Sequence, residues 1–533
     1  MKSRLVVFSI SILLIGALIF GAIGCTQSSS TTTQTTAAGT TTISTTTMPP
    51  TTEQDKYGGT IRILLTSSGE GNIGIPWEMR QNSGVIVPCI DHLIEMDFNG
   101  TPIPGLATEW QVADDGKSIT LTLMEGVKFH DGTAFDADAC KWNLDQWMNA
   151  HQAGTENWTS VDVVSPYVVR INLTEYRNTV FSSLAKDYFG PISPTAYEQN
   201  GHDWAEKHPC GTGPFKLISI DPDVGWSYER NDEYWQPGKP YLDAIEYKVV
   251  MDLNVAQMML ESGEAELMTF LGISGTEIKT ALVDKGWQRI MVACGGYPFC
   301  LWPDSANAES PWSKKEVRLA ADYALEKEVI ALLGKGHWSP TWQLATPVQE
   351  FYDPSLTRPH NSDEARELLA EAGYTEGFDT TIYYDSTTPT DIMVAVQSYF
   401  KDVGINCELE LIAISDAFMM VTQGWHNGLF CMPFGVNYVY MEGLEQYFST
   451  SKFQFVSVLS TPETQAYIDA GLRARTIEEQ RELNGQAVKY LFDEELTIPI
   501  FLSNVLGVSA PYVHDAGFYG TANWTPADCW LSK

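Results

Sequence analysis

The strongest constraint on the fold is the stretch at residues 118–148, SITLTLMEGVKFHDGTAFDADACKWNLDQWM. Ile119, Leu121 and Leu123 alternate with polar or less apolar residues, which is the period of a strand with one buried face. An Asp-Gly turn follows, and Asp136 stands where it can cap a helix whose apolar residues recur at helical spacing. The stretch therefore predicts a strand, a turn and an amphipathic helix.

This stretch, together with the preceding PGLATEW, closely resembles the signature of the family 5 solute-binding proteins of ABC transporters, the peptide- and nickel-binding group. The GTGPF run at residues 211–215 is a second point of resemblance; it lacks the lysine and the helix start of a phosphate loop. The resemblance implies an α/β, type II periplasmic-binding-protein fold. In that fold two lobes joined by a hinge close on a solute, and the first lobe carries an inserted subdomain.

The part of the chain after residue 54 is long enough for two or three domains. From the resemblance we predict a second lobe at residues 309–499, opened by a helix that Ser313 and Glu316 cap as a capping box. A β-α-β alternation at residues 380–414 is typical of an α/β lobe. The other predicted units are a first lobe at 55–98, 211–308 and 500–533, and an inserted subdomain at 99–210.

The amino terminus has the pattern of a lipoprotein signal peptide at residues 1–25. Lys2 and Arg4 precede an apolar run that ends in AIGC, and Cys25 is the predicted lipidation site. The alternative is that residues 5–24 remain as a membrane anchor, since about 20 apolar residues span a bilayer. Both interpretations place the rest of the chain outside the cytoplasm. Residues 26–54 are rich in Ser and Thr and predict a disordered tether with a reach of roughly 30 Å.

The formal net charge of −34 argues against nucleic acid or an anionic membrane surface as a partner. The eight cysteines other than Cys25 form no CxxC pair, and the 9 histidines do not cluster, so we predict no metal site and no cofactor. In an oxidising compartment Cys294 and Cys300 are the best pair for a local disulfide. The alternative is that both are small buried apolar side chains.

The resemblance also implies ligand-binding residues. Many peptide-binding members have an aromatic residue followed by an Asp-Tyr pair, whose Asp receives the amino terminus of the peptide. Here the matching residues are Phe434, Asn437 and Tyr438. Asn carries no charge, and charge-assisted hydrogen bonds are roughly twice as strong as neutral ones, so a free amino terminus is a less secure ligand. Trp77 and Asp416 are further candidates; the alternatives are core packing for Trp77 and a solvated position for Asp416.

No GxSxG, HExxH or GxxxxGK[ST] motif is present, which favours a binding protein over an enzyme. We predict a monomeric lipoprotein that captures an oligopeptide or peptide-like solute and delivers it to an ABC permease and its ATPase subunits. A metal chelate, haem or a sugar remains open as the solute. A secreted hydrolase and a ligand sensor are the alternatives from other classes.

Overall fold

The structure is a computed structural model that describes residues 56–66, 73–79, 83–97, 100–221, 223–269, 273, 275–435, 437–516, 518–519, 523–524 and 526–532. The predicted signal peptide, Cys25 and the tether lie outside these residues. Across the described ranges, no helix has both the length and the apolar character that a membrane span requires.

The strands, in chain order, are β1 (Thr60–Leu65), β2 (Ile94–Met96), β3 (Pro102–Pro104), β4 (Ala107–Val112), β5 (Ser118–Leu123), β6 (Trp158–Ser165), β7 (Val168–Leu173), β8 (Phe215–Asp221), β9 (Gly225–Arg230), β10 (Ala244–Val249), β11 (Leu267–Met268), β12 (Gln288–Met291), β13 (Tyr297–Pro303), β14 (Trp338–Pro340), β15 (Phe378–Asp385), β16 (Ile405–Ile412), β17 (Gly428–Pro433), β18 (Ile498–Ser503), β19 (Val505–Ser509), β20 (Val513–His514), β21 (Phe518–Tyr519), β22 (Asn523–Trp524) and β23 (Trp530–Leu531).

The α-helices are α1 (Ala137–Asn149), α2 (Thr179–Leu184), α3 (Pro194–Asn200), α4 (His202–Ala205), α5 (Leu253–Ser262), α6 (Thr276–Val283), α7 (Lys315–Ala324), α8 (Lys327–Leu332), α9 (Ser362–Glu371), α10 (Thr390–Asp402), α11 (Ile414–Gln423), α12 (Tyr440–Phe448), α13 (Pro462–Arg473) and α14 (Ile477–Glu494).

A seven-stranded sheet with the order β12-β19-β11-β1-β10-β9-β8 forms the first lobe. Its centre is parallel, because β1 pairs in parallel with both β10 and β11. The strands toward both edges are antiparallel. The parallel neighbours β1, β10 and β11 come from distant parts of the chain, as expected because parallel strands need long crossover connections.

A four-stranded antiparallel sheet, β4-β5-β7-β6, packs beside α1. The strand and the helix predicted at residues 118–148 are confirmed: β5 buries alternate residues, and the Asp136 side chain accepts from the backbone N–H groups of Asp138 and Ala139. Buried Asn143 donates to the carbonyl oxygens of Ala139 and Ile192. We call the hydrophobic cluster between this sheet, α1 and α2 the module core.

A six-stranded sheet, β14-β18-β13-β17-β15-β16, forms the second lobe. β15 is parallel to β16 and β17, and helices α7 and α10 cover this sheet with apolar side chains. The predicted capping box is wrong. The cap of α7 is Lys314, which makes no side-chain capping bond, and Ser313 ends a short 3-10 turn in which its hydroxyl donates to the Ser310 carbonyl.

In the part of the chain that the structure describes, two short crossovers connect the two large sheets. One joins β12 to β13 through residues 292–296, and the other joins β18 to β19 through Asn504. The Val292 N–H donates to the Asn504 carbonyl over 3.0 Å, so the two crossovers lie side by side. The predicted lobe boundaries stay a prediction; β13 pairs with β17 and β18, within the sheet of the second lobe.

The predicted disulfide between Cys294 and Cys300 is wrong, because their two buried sulfur atoms are not bonded to each other. Cys294 lies in the crossover with a left-handed φ of 50°. Cys300 lies inside β13, and each strand residue adds about 3.3 Å of separation. Burial raises the pKa of the Cys294 thiol to about 12. Both cysteines therefore behave as small apolar side chains.

Buried charges join the four-stranded module to the first lobe. The Asp91 carboxylate accepts hydrogen bonds from Thr212, Tyr234 and Trp235. The neighbouring His92 is buried, with Nδ1 3.0 Å from a Glu95 carboxylate oxygen and Nε2 3.3 Å from Asp187. Burial lowers the pKa of His92, but the two carboxylates outweigh it and raise that pKa to about 10. His92 is therefore a buried cation at neutral pH.

We expect Gly296→Ala to destabilise the chain more than Gly263→Ala. Gly296 has φ +130°, and a Cβ there would lie 2.6 Å from the Ser503 carbonyl, whereas Gly263 has φ +76° and open space around it. Gly263→Ala should lower the free energy of unfolding by about 1 kcal/mol, because it adds backbone strain alone, which costs about 1–3 kcal/mol. Gly296→Ala should lower it by several times as much, because it adds the steric clash to the strain. Urea unfolding of both variants measures the difference; equal losses would contradict the prediction.

We also expect His92 to contribute a pH-dependent stability. Its folded pKa lies above the unfolded value, so the contribution is fully present below about pH 6.5 and is lost as pH rises toward 10. The difference in melting temperature between the wild type and His92→Gln should therefore shrink from pH 6.5 to pH 10. A difference that stays constant across this range would show that His92 is not charged in the folded chain.

Candidate functional site

The candidate site is the face between the two lobes, where the loop after β17 meets the first lobe. In α/β sheets, ligands bind outside the carboxyl ends of the parallel strands. β1 and β11 supply such ends in the first lobe, and β15 and β17 supply them in the second. Phe434, Asn437 and Tyr438 all lie in the connection from β17 to α12.

Phe434 anchors this connection in the second lobe. Its side chain is 1% exposed, and its ring centroid lies 4.9 Å from that of Tyr447 and 6.4 Å from that of Trp302. Its backbone N–H donates to Pro298 over 2.7 Å, and the next N–H, of Gly435, donates to the Tyr447 hydroxyl over 2.9 Å. Phe434 is therefore a core residue that fixes where the loop begins.

Tyr438 reaches across to the first lobe. Its side chain is buried within the module core, whose other members come from the first part of the chain. A Cβ on Gly100 would lie 2.4 Å from the Tyr438 carbonyl, so only glycine permits this approach. Asn437 is half-buried beside it. The predicted pair Asn437-Tyr438 thus lies at the contact between the lobes.

A set of polar contacts surrounds this loop and joins the lobes, which we call the interlobe seam. The Glu442 carboxylate accepts from Lys186 Nζ over 2.7 Å and from Ser182 Oγ over 2.8 Å. Further seam contacts run from Arg177 to Glu445, from the Asn178 side chain to the Gly471 carbonyl, and from Arg473 to Glu175. The charged residues of the seam belong to α12, α13 and the segment around α2.

A small cavity of about 30 Å³ lies along the seam. Its lining includes Thr101, Asn178, Phe351, Tyr438 and Arg481. A water needs about 10–15 Å³, whereas ligand pockets run from about 300 to 1,000 Å³. This cavity therefore accommodates water rather than a solute.

The other two predicted site residues occupy different surroundings. Trp77 is 7% exposed and belongs to the module core, with its ring 5.7 Å from Trp142 and 6.2 Å from Tyr197. Trp77 and Tyr438 thus share one hydrophobic cluster. Asp416 is exposed on the first turn of α11. Within the described ranges its carboxylate has no hydrogen bond or ion pair to the Asn437-Tyr438 loop.

The sequence did not predict the seam residues Asn178, Lys186 and Glu442. Lys186 and Glu442 are 256 residues apart, and Asn178 and Gly471 are 293 apart. No local pattern indicates such pairs, because charged residues on short helices are usually solvated. Only the chain path through both lobes brings them together.

The comparisons with known proteins agree with this architecture. The family model described as Bacterial extracellular solute-binding proteins, family 5 Middle, matches residues 101–442. The glutathione-binding protein GsiB of Salmonella typhi is 30% identical over 312 residues, which cover 57% of this chain and 60% of that protein. The chain thus spans 60% of the length of the curated relatives it matches.

Two solved structures show the same fold. The periplasmic binding protein DppA from Helicobacter pylori, in complex with peptide STSA, has a TM-score of 0.72 and 20% identity, covering 90% of this chain and 99% of that one. NikA from Brucella suis, in complex with Fe(III)-EDTA, has a TM-score of 0.76 and 22% identity, covering 88% and 98%. The predicted type II periplasmic-binding-protein fold is confirmed.

We expect Lys186→Met to shift the ligand-free chain toward separated lobes. Lys186 and Glu442 are 24% and 22% exposed, so their ion pair is partly shielded from water. Loss of this ion pair should reduce the free energy that favours lobes in contact over separated lobes by about 1 kcal/mol. The ratio of the two forms should then change about fivefold. The radius of gyration from small-angle X-ray scattering should increase.

The matched control is Lys489→Met, which removes an exposed ion pair with Asp493 inside α14. This variant should scatter like the wild type. If Lys186→Met also scatters like the wild type, the seam does not hold the lobes together.

Proposed function

Since this chain belongs to the bacterial extracellular solute-binding proteins of family 5, we propose that it captures a peptide-like solute between its lobes and presents it to the permease of an ABC importer. Members of this family are extracytoplasmic solute-binding proteins of ABC importers.

The observation that carries the proposal is the position of the Asn437-Tyr438 loop. This loop starts at a core residue of the second lobe and ends against the module core of the first, so any solute between the lobes at this point contacts it. Closure on a solute would then add contacts from both lobes, and the solute would shift the population toward the closed form. We assign Asn437 to the solute, together with those atoms of Tyr438 that line the seam cavity rather than the module core, with Phe434 and Trp77 as packing support.

The uncharged amide of Asn437 favours one chemical class of solute over others. A carboxylate at this position would attract an isolated ammonium, whereas a neutral amide both donates and accepts hydrogen bonds. A zwitterionic amino-acid end carries an ammonium and a carboxylate on one carbon. Its ammonium needs a hydrogen-bond acceptor and its carboxylate needs a donor, and a carboxylate side chain would repel the carboxylate of the solute. A γ-linked peptide such as glutathione has such an end, and the 30%-identical relatives are glutathione-binding proteins.

We propose further that Cys25 is lipidated and that the Ser/Thr-rich tether holds the two-lobed body near the membrane, where a permease and its ATPase subunits act as partners. Transport of the solute without turnover is the expected activity, since the relatives are solute-binding proteins rather than enzymes. A metal chelate, haem or a sugar as the solute remains an outcome of the binding test below.

Thermal unfolding of the chain with glutathione, an α-linked tripeptide, a nickel-histidine chelate and a disaccharide tests the solute class. A ligand at about 100 times its dissociation constant stabilises by roughly 2.7 kcal/mol. We expect glutathione to raise the melting temperature most. A shift with the chelate or the disaccharide alone would contradict a peptide-like solute, and consumption of the ligand would contradict a pure binding role.

The variant Asn437→Asp tests the assigned contact. It should weaken binding of glutathione and strengthen binding of the α-linked tripeptide, whose free ammonium gains a charge-assisted bond. The gain should vanish for the N-acetylated tripeptide. Asp416→Asn is the matched control, a change of the same kind at an exposed site, and should leave both affinities unchanged. If Asp416→Asn weakens binding of the tripeptide instead, Asp416 supplies the carboxylate that binds the tripeptide's ammonium.

A further inference from the structure

Three potential metal ligands meet on the surface of the first part of the chain. Glu78 ends the short 3-10 turn Pro76–Glu78, while His202 begins α4 and Glu206 follows its last residue. One ligand atom from each side chain lies within 4.8 Å of the other two. The two Glu78 carboxylate oxygens are 3.0 and 2.9 Å from His202 Nε2. The sequence did not predict this cluster, because 124 residues separate Glu78 from His202.

Backbone contacts hold these side chains together. The N–H groups of Ile73 and Gly74 both donate to the Glu206 carbonyl, over 2.9 and 3.0 Å. A Cβ on Gly74 would lie 1.8 Å from the Ala205 carbonyl, so the loop lies this close to α4 only because residue 74 is glycine. His202 and Glu206 are one helical turn apart and share a face. The cluster is therefore fixed by the main chain as well as by its ion pair.

The donor set suits a divalent transition metal. One imidazole nitrogen and two carboxylate oxygens are typical ligands of Zn²⁺ and of its neighbours in the first row. Ligand atoms at about 2.0–2.1 Å from a tetrahedral ion lie about 3.3 Å apart, so Glu78 and His202 would separate by only a few tenths of an ångström. The remaining coordination position opens to solvent, since His202 and Glu78 are partly exposed.

An outer carboxylate is also present. Asp203 Oδ1 lies 3.6 Å from His202 Nδ1, the ring nitrogen that faces away from Glu78. Metal-bound histidines usually direct their other N–H to a carboxylate or carbonyl, which fixes the tautomer and the ring orientation. At 3.6 Å this contact is longer than a hydrogen bond, so Asp203 takes that role only after its exposed side chain moves closer to Nδ1. An ion pair between Glu78 and His202 alone would require neither Glu206 nor Asp203.

We propose that Glu78, His202 and Glu206 bind one divalent transition-metal ion of the Zn²⁺ class, with Asp203 orienting His202. A metal ion binds the deprotonated Nε2 of His202, so any proton on that nitrogen is released to solvent on binding. None of the three side chains belongs to the interlobe seam or to the Asn437-Tyr438 loop, so this site is separate from the proposed solute site. The ion joins the loop that carries Trp77 to α4, and so steadies the packing of Trp77 against Trp142 and Tyr197.

The test is titration of the full-length chain, prepared without a histidine tag, with Zn²⁺ by calorimetry. We expect one saturable site and a higher melting temperature with Zn²⁺. Co²⁺ bound at the same site should give a visible absorption band. The absence of a saturable site would overturn the proposal.

Matched variants identify the ligands. His202→Ala and Glu206→Gln should each weaken Zn²⁺ binding by at least about 100-fold, and Asp203→Asn by about tenfold, as expected for an outer partner. His426→Ala removes a histidine that is exposed in the second lobe and should bind Zn²⁺ like the wild type. Binding that survives both His202→Ala and Glu206→Gln would place the ion elsewhere and overturn the assignment. Solute binding at the lobes is measured separately, so its failure would leave this test intact.

Discussion

The hydrogen bond from Val292 to the Asn504 carbonyl holds side by side the two crossovers that connect the lobes. Each crossover is short, and the first contains Cys294, Gly295 and Gly296, all with positive φ. The second consists of Asn504 alone, between β18 and β19. Two short connections that lie side by side allow the lobes to rotate about one axis and resist rotation about the others. The position of every seam contact depends on that restriction.

Each lobe contains a set of buried ion pairs. In the second lobe the buried charges of Asp322, Lys327, Arg358 and Glu495 pair with one another beneath β18 and its neighbouring helices. Breaking a buried pair by removing one partner costs far more than an exposed pair is worth, so such a network resists local rearrangement. The first lobe has its own buried set around His92. We therefore expect relative motion of the lobes to take place at the crossovers and the seam.

Local sequence patterns predicted the local structure well. β5, the Asp136 cap and α1 were predictable because alternation, a turn and helical spacing act within about 30 residues. The resemblance supplied the two-lobed fold. The capping box at Ser313 was wrong because Pro311 and Trp312 form a separate turn, with Trp312 buried against Thr380. The seam and the Glu78 cluster were beyond sequence patterns, since both depend on pairs more than 100 residues apart.

Burial of the Tyr438 side chain favours contact between the lobes. A side chain from the second lobe completes the hydrophobic core of the four-stranded module, so separating the lobes exposes an aromatic ring to water. Burial of such a side chain is worth roughly 1.5–3 kcal/mol. In the proposed transport role, a solute-free molecule whose lobes are in contact would resemble a loaded one and would compete with it for the same docking surface on the permease. In that role, discrimination between loaded and empty molecules would have to come from the permease, or from the small difference in lobe angle that a trapped solute imposes.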